Sequence, residues 1–328
     1  MSSIALATVP FSVFSNPLDE KIKIGIIGLD TSHATDFTAI INTPRPAGAD
    51  YGCKVVAAYP QGSKDIAASV SRVPEYTAKM KEMGVEIVDS IEVLLTKVDA
   101  VLLESNDGRV HLEQLRPCLK AKKPVFVDKP VAASLADVLA IYDEAKAAGV
   151  PVFSASALRF AKATQELRGG SLGKVMHAET ISPASLEPTH PDLFWYGIHG
   201  VESLVTLMGR GAQKVKRGTT PEGKIEVTVT WQDGRTGVFR EGQGYSAKVT
   251  CEKGEAEAGK FDGYEPLVAQ VAKFFHDGKA PVAVEETLEI YALMEAADES
   301  KRRGGAEVTL EEVLTKARAA QRKAPGGE

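Results

Sequence analysis

Between Lys21 and Gly149, short apolar runs alternate with helical patterns, and this alternation leaves the chain few folds to choose from. The runs are KIKIGIIG from Lys21, CKVVAAY from Cys53, VEIVD from Val85, VDAVLLES from Val98 and PVFVDKP from Pro124. Between them lie TSHATDFTAIINT, the pair SKDIAASVSR and EYTAKMKEMG, then SIEVLLTK, RVHLEQLRPCLKAKK and SLADVLAIYDEAKAAG. Strands that alternate with helices pair in parallel, because each crossover must return the chain to the same edge. The unbroken apolar run of VDAVLLES predicts a strand buried on both faces. The pattern therefore predicts a Rossmann-like, doubly wound parallel sheet. Thr31 or Ser32, Ser90 and Ser134 are predicted helix caps, and Gly149 a helix stop. Ligands of such sheets sit at the carboxyl ends of the strands. Here those ends are residues 28–32, 59–64, 104–107 and 128–130.

After Gly149 the pattern changes. PVFSASALRF reads as one more strand with a polar exit. KVMHAETIS, a Pro-rich loop and the helical IHGVESLVTLMG follow. Next come the strand candidates QKVKRGT, KIEVTVTW, RTGVFRE, YSAKVTCE and GEAEAG, separated by Gly and Asp turns. Three helical segments close the chain. This predicts an α+β unit with helices on one face of an open, mostly antiparallel sheet. The expected division is a leader over 1–20, a nucleotide-binding domain over 21–150 and a substrate and oligomerisation domain over 151–322, with KAPGGE as a frayed tail. An uncovered apolar sheet face predicts pairing with further copies, as a homodimer or homotetramer.

Bulk properties exclude several partners. A net charge of −5 and a pI near 5.8 argue against nucleic acid. No apolar run is long enough to span a membrane. Three widely spaced cysteines suggest neither a disulfide framework nor a metal motif, which fits a reducing, cytoplasmic setting. The leader lacks basic residues; read as a trimmed signal, it would instead imply export to the periplasm.

Four stretches carry a family resemblance. KKPVFVDKP, LRGGSLGKVMHAE, YGIHGVESLVTLMGRG and ALMEAADESKRRGGAEVTL resemble signature segments of the glucose-fructose oxidoreductase / inositol dehydrogenase (Gfo/Idh/MocA) family. The resemblance implies an NAD(P)-dependent dehydrogenase acting on a sugar-like, cyclitol or related hydroxy compound. The alternative is a ligand-binding or regulatory protein that keeps the fold without a bound dinucleotide.

Lys129 ends a strand beside a proline and points toward the ligand crevice, where a lysine can polarise a carbonyl or move a proton. The family's matching lysine implies the same. His199 early on a helix is the expected proton relay. The family's aspartate four residues earlier is replaced by Trp195, so Asp192 on the preceding loop is the substitute acid. Arg159, Trp195 and Tyr196 are expected to shape the substrate pocket with His199. Glu202 and His111 read as structural.

The dinucleotide fingerprint is altered. G-x-G-x-x-G would run from Gly28, but Asp30 and His33 occupy the second and third glycine positions. A carboxylate about 4 Å from phosphate costs about 4 kcal/mol at an effective dielectric of 20. Asp30 is expected to cap the helix through the Ser32 or His33 amide, leaving Thr31 and Ser32 to contact phosphate. The ribose-binding acid is also absent. Ser63 and Lys64 would favour NADP over NAD, and Ser105 and Asn106 would meet the nicotinamide half. His177, Glu179, His190, Asp192 and His199 match no compact metal spacing, so no metal is expected.

Overall fold

The computed structural model describes residues 21–46 and 50–322. The leader and the KAPGGE tail lie outside the described residues. The first sheet contains β1 (Ile22–Ile27), β2 (Cys53–Tyr59), β3 (Glu86–Ile87), β4 (Ala100–Leu103), β5 (Val125–Val127) and β6 (Val152–Phe153). All pairings are parallel, in the order β3-β2-β1-β4-β5-β6. The connection reverses direction between β1 and β4, and this is where a doubly wound sheet opens its ligand crevice.

The helices of this half are α1 (Ser32–Asn42), α2 (Ala67–Glu82), α3 (Ile91–Leu95), α4 (His111–Lys120) and α5 (Leu135–Ala148). Their ends follow the predicted chemistry. Thr31 caps α1, Ser90 caps α3 and Ser134 caps α5, each accepting a backbone N–H, and Gly149 ends α5 at φ +65°. α2 runs unbroken through Pro74, where two helical segments were expected.

The second half contains α6 (Lys162–Arg168), β7 (Val175–Ser182), α7 (Ile198–Met208), β8 (Ala212–Thr219), β9 (Ile225–Trp231), β10 (Thr236–Glu241), β11 (Ser246–Cys251) and β12 (Gly254–Ala258). It continues with α8 (Glu265–Asp277), α9 (Val284–Arg302), β13 (Val308–Thr309) and α10 (Leu310–Gln321). The sheet order is β12-β11-β7-β10-β9-β8-β13, antiparallel except for the parallel pair β7–β10. Its inner face buries Val227, Val229, Trp231 and Phe239 beside α7 and α9.

Two further features differ from the reading of the sequence. The stretch PVFSASALRF is a strand only at β6. Ser156 then caps a 3₁₀ turn over Ala157–Phe160. The open face of the second sheet is largely polar, with Ile181 and Val238 in register among its charged and hydroxyl residues. It carries Glu179, Glu226, Thr228, Arg240, Lys248 and Thr250, with Arg240 bonded to both Glu179 (2.5 Å) and Glu226 (2.6 Å).

α8 also crosses between the halves. It comes from the second half, yet Leu267, Val268, Val271 and Phe274 share one core with Ile24, Phe37, Phe126 and Phe153 of the first. Phe153 and Phe274 meet edge to face at 4.7 Å. At about 25 cal/mol per Å² of apolar surface, such buried side chains contribute roughly 1.5–3 kcal/mol each. This fixes the strand ends of the first sheet against the second half. Among the described residues no helix is long and apolar enough to cross a membrane.

Candidate active site

The carboxyl ends of β1 and β5, the turn after β6 and the start of α7 surround one cavity of about 190 Å³. Thr31, Ser32 and His33 enter it from the first turn of α1, Arg72 and Tyr76 from α2, and Lys129 from the end of β5. Ser156 and Leu158 contribute from the capped turn. Tyr196, His199, Tyr245, Phe261 and Tyr264 complete an aromatic wall. His33 stacks on Phe37 with ring centroids 5.0 Å apart and meets Tyr264 edge to face at 4.7 Å. Tyr196 and Tyr245 flank His199 at 5.1 and 5.7 Å.

Lys129 projects from the last residues of β5, its side chain 14% exposed and its Nζ 3.7 Å from Asp128 Oδ2. His199 Nδ1 shares a 2.9 Å hydrogen bond with Ser156 Oγ. Burial, with the Lys129 charge nearby, holds the His199 pKa well below the usual histidine range. It is thus a neutral imidazole at pH 7, with its second nitrogen left for a ligand. A cationic lysine and a neutral imidazole in one aromatic-walled cavity can polarise a substrate oxygen and move its proton.

Asp30 does not cap α1; Thr31 does. The Asp30 carboxylate turns inward instead and is fully buried. It accepts from Ser69 Oγ at 2.7 Å and from the Asn106 amide at 2.9 Å. Burial pushes its pKa up, against those two hydrogen bonds. The position that threatened phosphate with a negative charge therefore presents none to the cavity. Gly28 is required where it stands. It adopts φ +93°, and a Cβ would come within 2.4 Å of the Ser105 backbone.

Several expected site residues lie elsewhere. Arg159 is 2% exposed and bonds Glu202 and Glu286, both at 2.6 Å, outside the cavity. It ties the 3₁₀ turn to α7 and α9. Asp192 is held by Arg217 and Lys301, each at 2.6 Å, and does not reach the cavity as the substitute acid. Trp195 packs on His190 at 4.9 Å rather than lining the cavity. Ser63 donates to Asp107, and Ser105 Oγ accepts from Gln114. Asn106 bonds Asp30, and Lys64 is exposed outside the cavity. These four are engaged or placed apart from it. His111 bonds the Ser105 and Val131 carbonyls, the structural role expected of it.

The structure also adds residues the sequence did not single out. Arg72, Tyr76, Ser156, Tyr245, Phe261 and Tyr264 line the cavity from four separate segments. Only Ser156 had a local signal, as the polar exit of an apolar run.

Residues 22–156 match the family model described as an oxidoreductase family with an NAD-binding Rossmann fold. A myo-inositol 2-dehydrogenase of Thermotoga maritima is 35% identical over 107 residues. That match spans about a third of each protein, 31% of this chain and 31% of the relative. Among solved structures, a probable dehydrogenase from Thermotoga maritima superposes with a TM-score of 0.72 at 22% identity, covering 89% of this chain and all of that one. A scyllo-inositol dehydrogenase from Lactobacillus casei, solved with NAD(H) and scyllo-inositol, gives 0.67 at 16% identity, covering 89% of this chain and 99% of that one. The fold over 89% of the chain is shared with these two solved structures.

Proposed function

From the match of residues 22–156 to this oxidoreductase family, we propose that the chain is a Gfo/Idh/MocA-type NAD(P)-dependent dehydrogenase of a cyclitol or sugar-like alcohol. The observation that carries the proposal is the convergence of Lys129 and a neutral His199 on one aromatic-walled cavity at the strand ends. The residues fit a dinucleotide. Thr31 and Ser32 offer hydroxyls at a helix N-terminus, Arg72 adds a cation, and Asp30 is turned away. Bound NAD(P) would supply the hydride acceptor or donor.

The chain's own residues do the rest. Lys129 polarises the reacting oxygen, and His199 takes or returns its proton, held in orientation by Ser156. Tyr196, Tyr245 and Tyr264 present flat faces and hydroxyls, which suit a ring with apolar C–H faces and a polar edge. A cavity of this size admits a small polyol. Buried, unpaired Cys53, Cys118 and Cys251 support a reducing, cytoplasmic setting.

A cofactor-free binding protein is the second reading. It is favoured by the bonds that Asp30 makes to Asn106 and Ser63 makes to Asp107 across the crevice mouth. Calorimetric titration with NAD, NADH, NADP and NADPH separates the two. Binding of one of them at about 100 μM or tighter, roughly 5.5 kcal/mol, supports the dehydrogenase. Silence from all four refutes it.

A further inference from the structure

Beneath the cavity lies a buried cluster that the proposed reaction does not use. Glu104 follows β4 and is fully buried; neither of its carboxylate oxygens has a hydrogen-bond partner among the described residues. Asp128 follows β5 and is equally buried, and its Oδ1 is also without a partner. Its Oδ2 takes His33 Nδ1 at 2.9 Å. His33, Glu104 and Asp128 each place a donor atom within 4.8 Å of the other two. The strand register holds them there: the Glu104 amide bonds the Ile27 carbonyl at 2.7 Å, and the Asp128 amide bonds that of Leu103 at 2.8 Å.

Buried carboxylate oxygens are almost always satisfied, and here two adjacent buried carboxyls carry three oxygens without a hydrogen-bond partner beside an imidazole. We propose that His33, Glu104 and Asp128 bind one divalent transition-metal ion of the Zn²⁺ or Mn²⁺ class. One imidazole with two carboxylates is a mixed nitrogen–oxygen set. It suits these ions better than Mg²⁺ or Ca²⁺, which take oxygen alone. Three protein ligands leave a coordination position open, and His33 also lines the cavity, so a substrate oxygen or water has a route to the ion. Two carboxylates balance the ion's charge. Lys129 is the cation that opposes it, 3.7 Å from Asp128. The competing occupant is a proton shared by the two carboxyls.

The three donors come from positions 33, 104 and 128, so no local spacing announces them. The proposal goes beyond the dehydrogenase reading and does not depend on it, because its test reads metal content rather than turnover. The purified full chain is stripped with a chelator and dialysed against Zn²⁺ or Mn²⁺. Elemental analysis is then run on wild type, Glu104→Gln, His33→Gln and His177→Gln. The last removes a half-buried histidine whose Nε2 lies 3.6 Å from Glu179, a competing surface site. We expect roughly one ion per chain in wild type and His177→Gln, and affinity at least about tenfold weaker in Glu104→Gln and His33→Gln. The unfolding midpoint of wild type should rise with Zn²⁺ or Mn²⁺ over chelator, which needs no variant to fold. No ion in wild type and no midpoint shift would assign the cluster to a proton and overturn the proposal. So would loss of the ion in His177→Gln with retention in Glu104→Gln.

Discussion

Replacing Arg159 by methionine removes the guanidinium that joins three elements and keeps the aliphatic volume. In the folded protein Arg159 is 2% exposed and bonds Glu202 on α7 and Glu286 on α9. Glu286 keeps a second partner in Arg168, at 2.8 Å through both oxygens. Glu202 keeps only the Ser156 amide, at 2.9 Å. The substitution therefore leaves one carboxylate buried with its charge uncompensated. Breaking a buried pair from one side costs about 3–5 kcal/mol, a large part of a typical folding free energy. For a chain of this size that lowers the thermal midpoint by roughly 4–7 °C. Adding Glu202→Gln removes the stranded charge, so the double variant should recover part of the loss. Thermal and urea unfolding of both variants, followed by circular dichroism, make the comparison. A midpoint within about 2 °C of wild type, with a raised KM, would refute the structural role and return Arg159 to the substrate pocket.

Gly28→Ala should cost about 2–4 kcal/mol by urea unfolding, since it combines strain at φ +93° with a 2.4 Å approach to backbone; a neutral variant would contradict this geometry. His199 has a folded pKa below its unfolded one, so its stability contribution is present above about pH 6.5 and is lost as pH falls toward the folded value. The stability of wild type relative to His199→Asn should therefore fall by up to about 1.4 kcal/mol per pH unit below pH 6.5, and a pH-independent difference would exclude a neutral imidazole. Trp195→Phe should leave kcat and KM within about twofold, because the indole packs on His190; a loss of tenfold or more would put it against substrate.

Much of the first half was legible because its signals are local. Apolar runs fix the parallel strands, and Thr31, Ser90 and Ser134 cap helices a few residues away. The family resemblance rested on contiguous segments and carried the fold of the second half as well. What stayed hidden depends on partners far along the chain. Asp30 looked hostile to phosphate until Ser69 and Asn106, 39 and 76 residues on, turned it inward. Arg159 looked like a substrate group because Glu286 lies 127 residues away. The polarity of the open sheet face was visible strand by strand, but which face packed against α7 and α9 was not. The cavity's aromatic wall gave no local sign, as Tyr245 sits between strands and Tyr264 just before α8.

The central claim is that Lys129 carries hydride-transfer chemistry in a dinucleotide enzyme. Absorbance at the reduced nicotinamide band should be followed with NAD or NADP and a panel of inositols and sugars, for wild type and Lys129→Ala. The account predicts reduction by wild type with at least one polyol. It also predicts a loss of about 10²–10⁴-fold in kcat in the variant, with dinucleotide affinity held within about threefold. Equal turnover in the two proteins would contradict it.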